Sequence, residues 1–244
     1  MKNGLKNIKD QSTATTQKVS VRKHIVRGEK NVDKINIIYF VYLKSDNWLK
    51  IVNEQLGLLK NLELYNIVDQ ILTSVVGNDD DTATFRKLIE NNFPKIKIHT
   101  TSDENTFEYV GIKTLYDVSE KNTLNLYFHT KGITSGEKKP HNHSIRKKLF
   151  KYTIENYEEI LDEFKKNKEL DVCCMIPDKQ GFAYYNFFWV RGDYVKKYCV
   201  EPTLQNNRFY WEEWLGQKYS KKNNVVTFSP IMKYEKIQDK DRKS

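Results

Sequence analysis

The chain is short of cysteine and of long apolar runs, and each shortage removes a class of protein. Only three cysteines occur in 244 residues, Cys173, Cys174 and Cys199. They stand at no metal-ligand spacing and form no disulfide framework, so they read as reduced core residues of a cytosolic protein. No stretch approaches the roughly 18 apolar residues that a membrane-spanning helix needs. The polar N-terminus also lacks the apolar core of a signal peptide. No dense arginine cluster and no nucleic-acid-binding motif accompanies the formal charge of +9. Nucleic acid is therefore a disfavoured partner, and no internal repeat suggests a solenoid.

What is present is enough for one substantial core. Hydrophobic residues make up 39% of the chain, with 15 Tyr and 12 Phe among them, which excludes global disorder. Much of the positive charge lies at the two ends. Residues 1–33 show no periodicity and read as a flexible basic extension. Residues 34–232 form a single expected domain, and 233–244 a polar tail.

Within that domain, strand-like and helix-like stretches alternate. The run Ile35–Leu43 reads as a buried strand, followed by a helix with Trp48, Ile51, Val52, Leu56, Leu59 and Leu62 at helical spacing. Strands are expected over 69–76, 95–100, 124–128 and 171–176, with helices over 104–119 and 144–166 and a shorter one around Phe85. Alternation with long connections predicts an α/β fold, a mostly parallel sheet flanked by helices. After residue 177 the pattern turns aromatic and less regular. A short helix is expected over 192–199, a second over 208–219 and a last strand over 225–229.

The most informative segment is Leu124–Gly132. Its apolar run stops at Phe128 and gives way to His129, Thr130, Lys131 and Gly132. In open α/β sheets, ligands bind outside the carboxyl ends of the strands. There Lys131 can neutralise a diphosphate, Thr130 can donate a hydrogen bond, and Gly132 lets a ligand approach the backbone. His129 can bind a metal or phosphate or exchange a proton. The plainer reading is a polar strand end with a glycine turn.

Other clusters admit two readings each. Asp79 and Asp81, in the run Asp79-Asp80-Asp81, can present oxygens to Mg²⁺ or Mn²⁺, or simply cap the helix that follows. In Trp211-Glu212-Glu213-Trp214, successive helical residues point about 100° apart, so at most one carboxylate faces a shared pocket. A carboxylate flanked by aromatics suits a general base, whereas an amphipathic helix with solvated Glu is the alternative. In Phe182–Arg191, Asn186 and Arg191 can hold hydroxyls or phosphate, or the stretch can be a buried strand. His141 and His143 lie in a basic loop with Lys138, Lys139 and Arg146, with no partner for a zinc site.

Taken in order, the strand ending in His129–Gly132, the block Asn186-Phe187-Phe188-Trp189-Val190-Arg191 and the motif Arg208-x-x-x-Glu212-x-Trp214-Leu215-Gly216 resemble small GT-A-type glycosyltransferases. That family occurs in large DNA viruses and bacterial polysaccharide gene clusters. The resemblance spans roughly residues 35–230. It implies a GT-A-like (Rossmann-like) fold with an aromatic-rich acceptor-side half, and transfer of a hexosyl or deoxyhexosyl group. The donor would be a nucleotide diphosphate sugar and the acceptor a hydroxyl of a glycan or glycoconjugate, in the cytoplasm (a host's, for a viral protein).

By the same resemblance, Phe40, Tyr42 and Lys44 would lie by the nucleoside and His129–Gly132 by the diphosphate. Asn186, Trp189, Arg191, Arg208 and Trp214 would frame the sugars, and Glu212 would be the base with Glu213 as second candidate. Members commonly carry Asp-x-Asp near the fourth strand to hold a divalent metal. Here His129-Thr130-Lys131 takes that place, so either Lys131 replaces some of the metal's charge or Mn²⁺ or Mg²⁺ is held by Asp79, Asp81 or His129. The alternatives from other classes are a non-catalytic nucleotide or carbohydrate-binding module and a basic nucleic-acid-binding protein.

Overall fold

β-Branched and aromatic runs build the centre of the sheet. A computed structural model describes residues 32–132, 140–178 and 181–216. Most of the expected N-terminal extension, Lys138 and Lys139, the end of the helix expected over 208–219, the strand over 225–229 and the C-terminal tail lie outside those residues.

The elements follow in the order β1 (Lys34–Tyr42), α1 (Trp48–Lys60), α2 (Leu64–Ile67), β2 (Gln70–Val76), α3 (Asp79–Asn92), β3 (Ile96–Ser102), α4 (Tyr109–Val118) and β4 (Thr123–His129). Then come α5 (Pro140–Phe150), α6 (Tyr157–Lys166), β5 (Val172–Cys174), β6 (Phe188–Arg191), α7 (Gly192–Tyr198) and α8 (Phe209–Glu213). Six strands make one sheet in the order β3-β2-β1-β4-β6-β5. β1 to β4 run parallel, and β6 runs antiparallel to both β4 and β5. The mostly parallel, helix-flanked α/β sheet expected from the sequence is what the chain forms.

Side-chain alternation splits the core between the two faces. Ile35, Ile37, Tyr39 and Val41 of β1 point to the face covered by α1, α3, α5 and α6. Ile38 and Phe40 point to the other, where Val110, Ile112 and Leu115 of α4 pack with Val195 and Trp211. Gly111 sets how closely α4 lies on the sheet. A Cβ there would stand 2.7 Å from both Phe40 Cβ and Tyr127 Oη, so any side chain would push the helix outward.

Two expected helices are remodelled. The one expected from 104 begins only at Tyr109, because the chain first turns through Phe107 in a left-handed conformation, φ 54°. The one expected over 144–166 is interrupted by a π-helical turn at Lys151–Glu155. Within that turn the Thr153 carbonyl accepts the Trp189 indole N–H at 2.7 Å. A buried tryptophan donor thereby finds the partner it requires.

Candidate functional site

The parallel sheet places its ligand crevice where neighbouring connections diverge. β1 is flanked by β2 on one side and β4 on the other, so the divergence falls between the carboxyl ends of β1 and β4. His129 pairs with Phe40 in that register. Thr130 carries the pairing one step further, its N–H donating to Phe40 O at 3.1 Å while its hydroxyl accepts from Tyr42 N at 3.1 Å.

α1 and α5 hold the same strand end from the other face. Gln55 donates to His129 O at 3.1 Å and accepts the Tyr39 hydroxyl at 2.7 Å. The Arg146 guanidinium donates to Lys131 O at 3.1 Å and to Glu54 Oε2 at 3.1 Å. Gly132 then turns the chain with φ 78°, a conformation that favours glycine. The backbone at Lys131 is therefore fixed from both sides, and its side chain is aimed accordingly. Lys131 Nζ lies 4.5 Å from the centre of the Tyr185 ring.

The chemistry gathers on the α4 face. Glu108, just before α4, places Oε2 3.0 Å from the Tyr127 hydroxyl and 3.0 Å from Asn186 Nδ2, both of which donate to it. Only 17% of its side chain is exposed. Burial pushes its carboxyl up to about 7, while those two hydrogen bonds and the charges of Lys131 and Arg208 draw it back. His129 Nε2 stands 4.0 Å from Glu108 Oε1. Burial, helped by the Lys131 charge, lowers the imidazole to about 3, so this pair is not an ion pair. Its Nε2 lies 2.9 Å from Tyr185 O; a carbonyl only accepts, so Nε2 carries the proton.

Tyr185 and Asn186 are both left-handed, with φ 69° and 49°. Two consecutive non-glycine residues there cost on the order of 1–3 kcal/mol each. The turn they make is what delivers Tyr185 O to His129 and the Asn186 amide to Glu108. Asn186 also donates to Trp211 O at 3.2 Å, joining α8 to the cluster. From that helix Glu212 acts on both Lys131 and His129, opposing the burial that lowers each. Arg208 acts on Glu108 and Lys131. Glu213 is exposed and Glu212 half-buried, and both charges act on Tyr184.

The structure thus brings together His129, Thr130, Lys131, Gly132 and Asn186, with Tyr42 at the edge of the crevice and the charges of Glu212 and the exposed Arg208 acting on it. It does not bring the other expected residues to it. The indoles of Trp189 and Trp214 are wholly buried and donate to Thr153 O and Val200 O, leaving no face for a sugar. Phe40 is packed under α4. Lys44 donates to Asp103 O. Arg191 is carried to the opposite edge of the sheet because β6 runs antiparallel, pairing it with Leu124 at the start of β4. There its guanidinium donates to Leu170 O at 2.7 Å and Phe164 O at 2.6 Å, closing the end of α6.

The acidic run sits in the first turn of α3. Asn78 Oδ1 accepts from Asp81 N at 2.7 Å, and Asp81 Oδ1 accepts the Trp48 indole at 3.1 Å. That is a helix cap tied to α1. Among the described residues, no three His, Cys, Asp or Glu side chains converge as a metal-binding group. With Nε2 of His129 committed to a carbonyl and Lys131 beside it, the donor set does not fit a divalent ion. The three cysteines are buried and free.

Glu108 was hidden from sequence reasoning because the helix was expected to start four residues before it. Gln55 left a trace: a polar residue beside Leu56 on a stripe otherwise made of Trp48, Val52 and Leu59.

No protein-family model matches the chain, and no curated protein matches it by sequence. Among solved structures it is similar to 4-diphosphocytidyl-2C-methyl-D-erythritol synthase from Anaerococcus prevotii. The TM-score is 0.40 at 9% identity, over 73% of this chain and 81% of that one. Similarity at that level says nothing about substrate.

Proposed function

We propose that the chain is a glycosyltransferase that moves a sugar from a nucleotide diphosphate donor to a hydroxyl acceptor. One observation carries the reading: Lys131 at the end of β4 and the half-buried Glu108 beside it carry opposite charge at the divergence between β1 and β4, and the charges of Arg208 and Glu212 reach both places. Cations at that place suit a leaving diphosphate, and carboxylates suit an acceptor hydroxyl that must lose a proton.

In the reaction the acceptor oxygen forms a bond to the anomeric carbon as the bond to the diphosphate oxygen breaks. The bonding pair stays on the diphosphate, where Lys131 and Arg208 stabilise it. Such electrostatic support is often the largest catalytic contribution. The acceptor's proton passes to a carboxylate, and the motif resemblance favours Glu212. Tyr185, stacked on Lys131, and the edge formed by Tyr42 border the space for nucleoside and sugar.

A thermal-shift screen of UDP, GDP and CMP sugars, with and without Mn²⁺, tests ligand class and metal need together, since a ligand that binds the native state raises its stability. A rise of several degrees with one nucleotide class, followed by release of its nucleotide diphosphate (or monophosphate for CMP sugars), supports the reading. Binding without turnover points to a carbohydrate- or nucleotide-binding module. No shift with any donor removes the proposal.

A further inference from the structure

We propose that Glu108, rather than Glu212, takes the proton from the attacking hydroxyl. The inference rests on the glycosyl-transfer reading above and names the base within it.

The two oxygens of Glu108 have different surroundings. Oε2 accepts from Tyr127 and from Asn186, each at 3.0 Å. Those bonds hold the carboxylate plane in place. Among the described residues, no hydrogen bond reaches Oε1. His129 Nε2, 4.0 Å away, directs its proton to Tyr185 O at 2.9 Å instead. A carboxylate anchored through one oxygen, with the other left without a hydrogen bond among the described residues and the side chain still 17% exposed, is arranged to receive a proton.

The surrounding backbone supports that assignment independently. Tyr185 and Asn186 are both held left-handed, and the contacts this strain secures go to His129 and Glu108. Strained backbone that persists because it positions particular groups is a mark of functional sites. Gly111 contributes from the other side. By leaving no Cβ between α4 and the sheet, it allows the start of α4 to sit over Tyr127.

Glu212 has a different principal partner. Among the charges that act on Lys131 it is the strongest, ahead of Glu108. Its charge reaches the lysine without a hydrogen bond or ion pair among the described residues, so it supports Lys131 as a counter-charge. As the acceptor oxygen bonds to the anomeric carbon, its O–H pair becomes the oxygen's lone pair and the proton moves to Glu108 Oε1. The leaving diphosphate keeps the electron pair of the broken bond. No further reagent is needed.

The groups facing Glu108 are Tyr127 and His129 from β4, Lys131 beyond it, Asn186 from the turn before β6 and Arg208 before α8. Burial sets its carboxyl at about 7 against the pull of those donors and cations. The rate should therefore climb as pH rises through neutrality.

Donor hydrolysis, with water as acceptor, provides the assay. UDP-glucose, UDP-galactose and GDP-mannose would be tested in single-turnover reactions from pH 5 to 9. The wild-type rate is expected to rise with a midpoint near 7. Glu108→Gln is expected to lose at least about 100-fold and to lose the acidic limb, while UDP or GDP affinity stays within about threefold. Glu212→Gln is expected to lose rate but keep the limb. Tyr127→Phe removes a bond that favours the charged carboxylate, so its limb should move to higher pH.

Glu108→Asp serves if the Gln variant fails to fold; it should turn over more slowly with the limb retained. A Glu108→Gln enzyme that keeps both the limb and most of its rate overturns the assignment. Loss of the limb in Glu212→Gln alone transfers the role to Glu212. A wild-type chain that neither binds nor hydrolyses these donors shows instead that the glycosyl-transfer reading has failed.

Discussion

The side-chain amide of Asn186 donates to Glu108 Oε2 at 3.0 Å across 78 residues of sequence. That bond links the start of α4 to the turn before β6, and through Trp211 O it reaches α8 as well. Replacing Asn186 by glycine removes the amide and also relieves the left-handed backbone at φ 49°, so the stability it loses is a lower bound on the worth of the hydrogen bonds. Asn186→Gly should lose about 1–2 kcal/mol of stability from the missing hydrogen bonds, measured by denaturant unfolding at pH 8. A neutral result would mean that the amide link is worth no more than the strain it imposes.

Glu108 itself should be a burden on stability. Its folded carboxyl lies near 7 against an ordinary value of 4.5, so between those values the folded state binds more protons than the unfolded chain. Stability contributed by this group is therefore greatest at or below about pH 4.5 and falls as pH rises toward and through 7. Glu108→Gln, which keeps an acceptor for Tyr127 and Asn186, should stabilise the protein at pH 8 by about 2–3 kcal/mol. Near pH 4.5 the two proteins should unfold alike. Thermal melts at both pH values give the comparison without any substrate.

His129 works in the opposite sense. Its imidazole is held at about 3 rather than 6.5, so the unfolded chain binds more protons across that interval. The stability it contributes is full above 6.5 and is lost as pH falls through the interval to about 3. His129→Gln can still donate to Tyr185 O and carries no titrating ring. It should resist acid better than wild type, by at least about 2 kcal/mol at pH 4.5, where the wild-type ring remains uncharged at a cost. Equal acid midpoints for the two proteins would show that the ring is not buried as described.

The sheet was legible in the sequence because its central strands are continuous apolar runs; 35–43 and 124–128 need no tertiary information to be read. The polar strand end at His129–Gly132 was legible for the same reason, since it breaks such a run. Glu108 was not, because the left-handed turn at Phe107 leaves no mark in helical periodicity. Nor could spacing reveal the fate of Arg191. Along β6, Phe188 to Arg191 covers roughly 10 Å at 3.3 Å per residue, and only the antiparallel pairing decides which end meets the crevice. Trp189 and Trp214 illustrate a chemical ambiguity: an indole suits a sugar and a core equally well, and burial alone separates them.

Arg191 should accordingly act on stability and not on donor binding. Its guanidinium closes the carbonyls at the end of α6 and lies 5.2 Å from the Phe164 ring. Arg191→Ala should cost about 2–3 kcal/mol, the loss of charged hydrogen bonds to half-buried carbonyls. The affinity for a nucleotide sugar should stay within about threefold, since the residue stands at the opposite edge of the sheet. A large loss of affinity with unchanged stability would place Arg191 back at the sugar.

Lys131 gives the converse pattern. Its backbone is pinned by Arg146, and its ammonium lies over the Tyr185 ring, 4.5 Å from its centre. Burial lowers its pKa against the pull of Glu212 and Glu108, and no carboxylate bonds to it directly among the described residues, so an incoming diphosphate would supply its direct anionic partner. Lys131→Met keeps the aliphatic stem against Tyr185 while removing the charge. The expected result is a loss of nucleotide diphosphate affinity of roughly 10- to 100-fold, the worth of one charged hydrogen bond of about 1.5–3 kcal/mol. Stability should hold or rise, since a partly desolvated charge is gone. Isothermal titration with UDP and with uridine separates the two contributions: the affinity for uridine should not change. Equal losses for both ligands would mean that Lys131 shapes the nucleoside pocket and does not meet the phosphates.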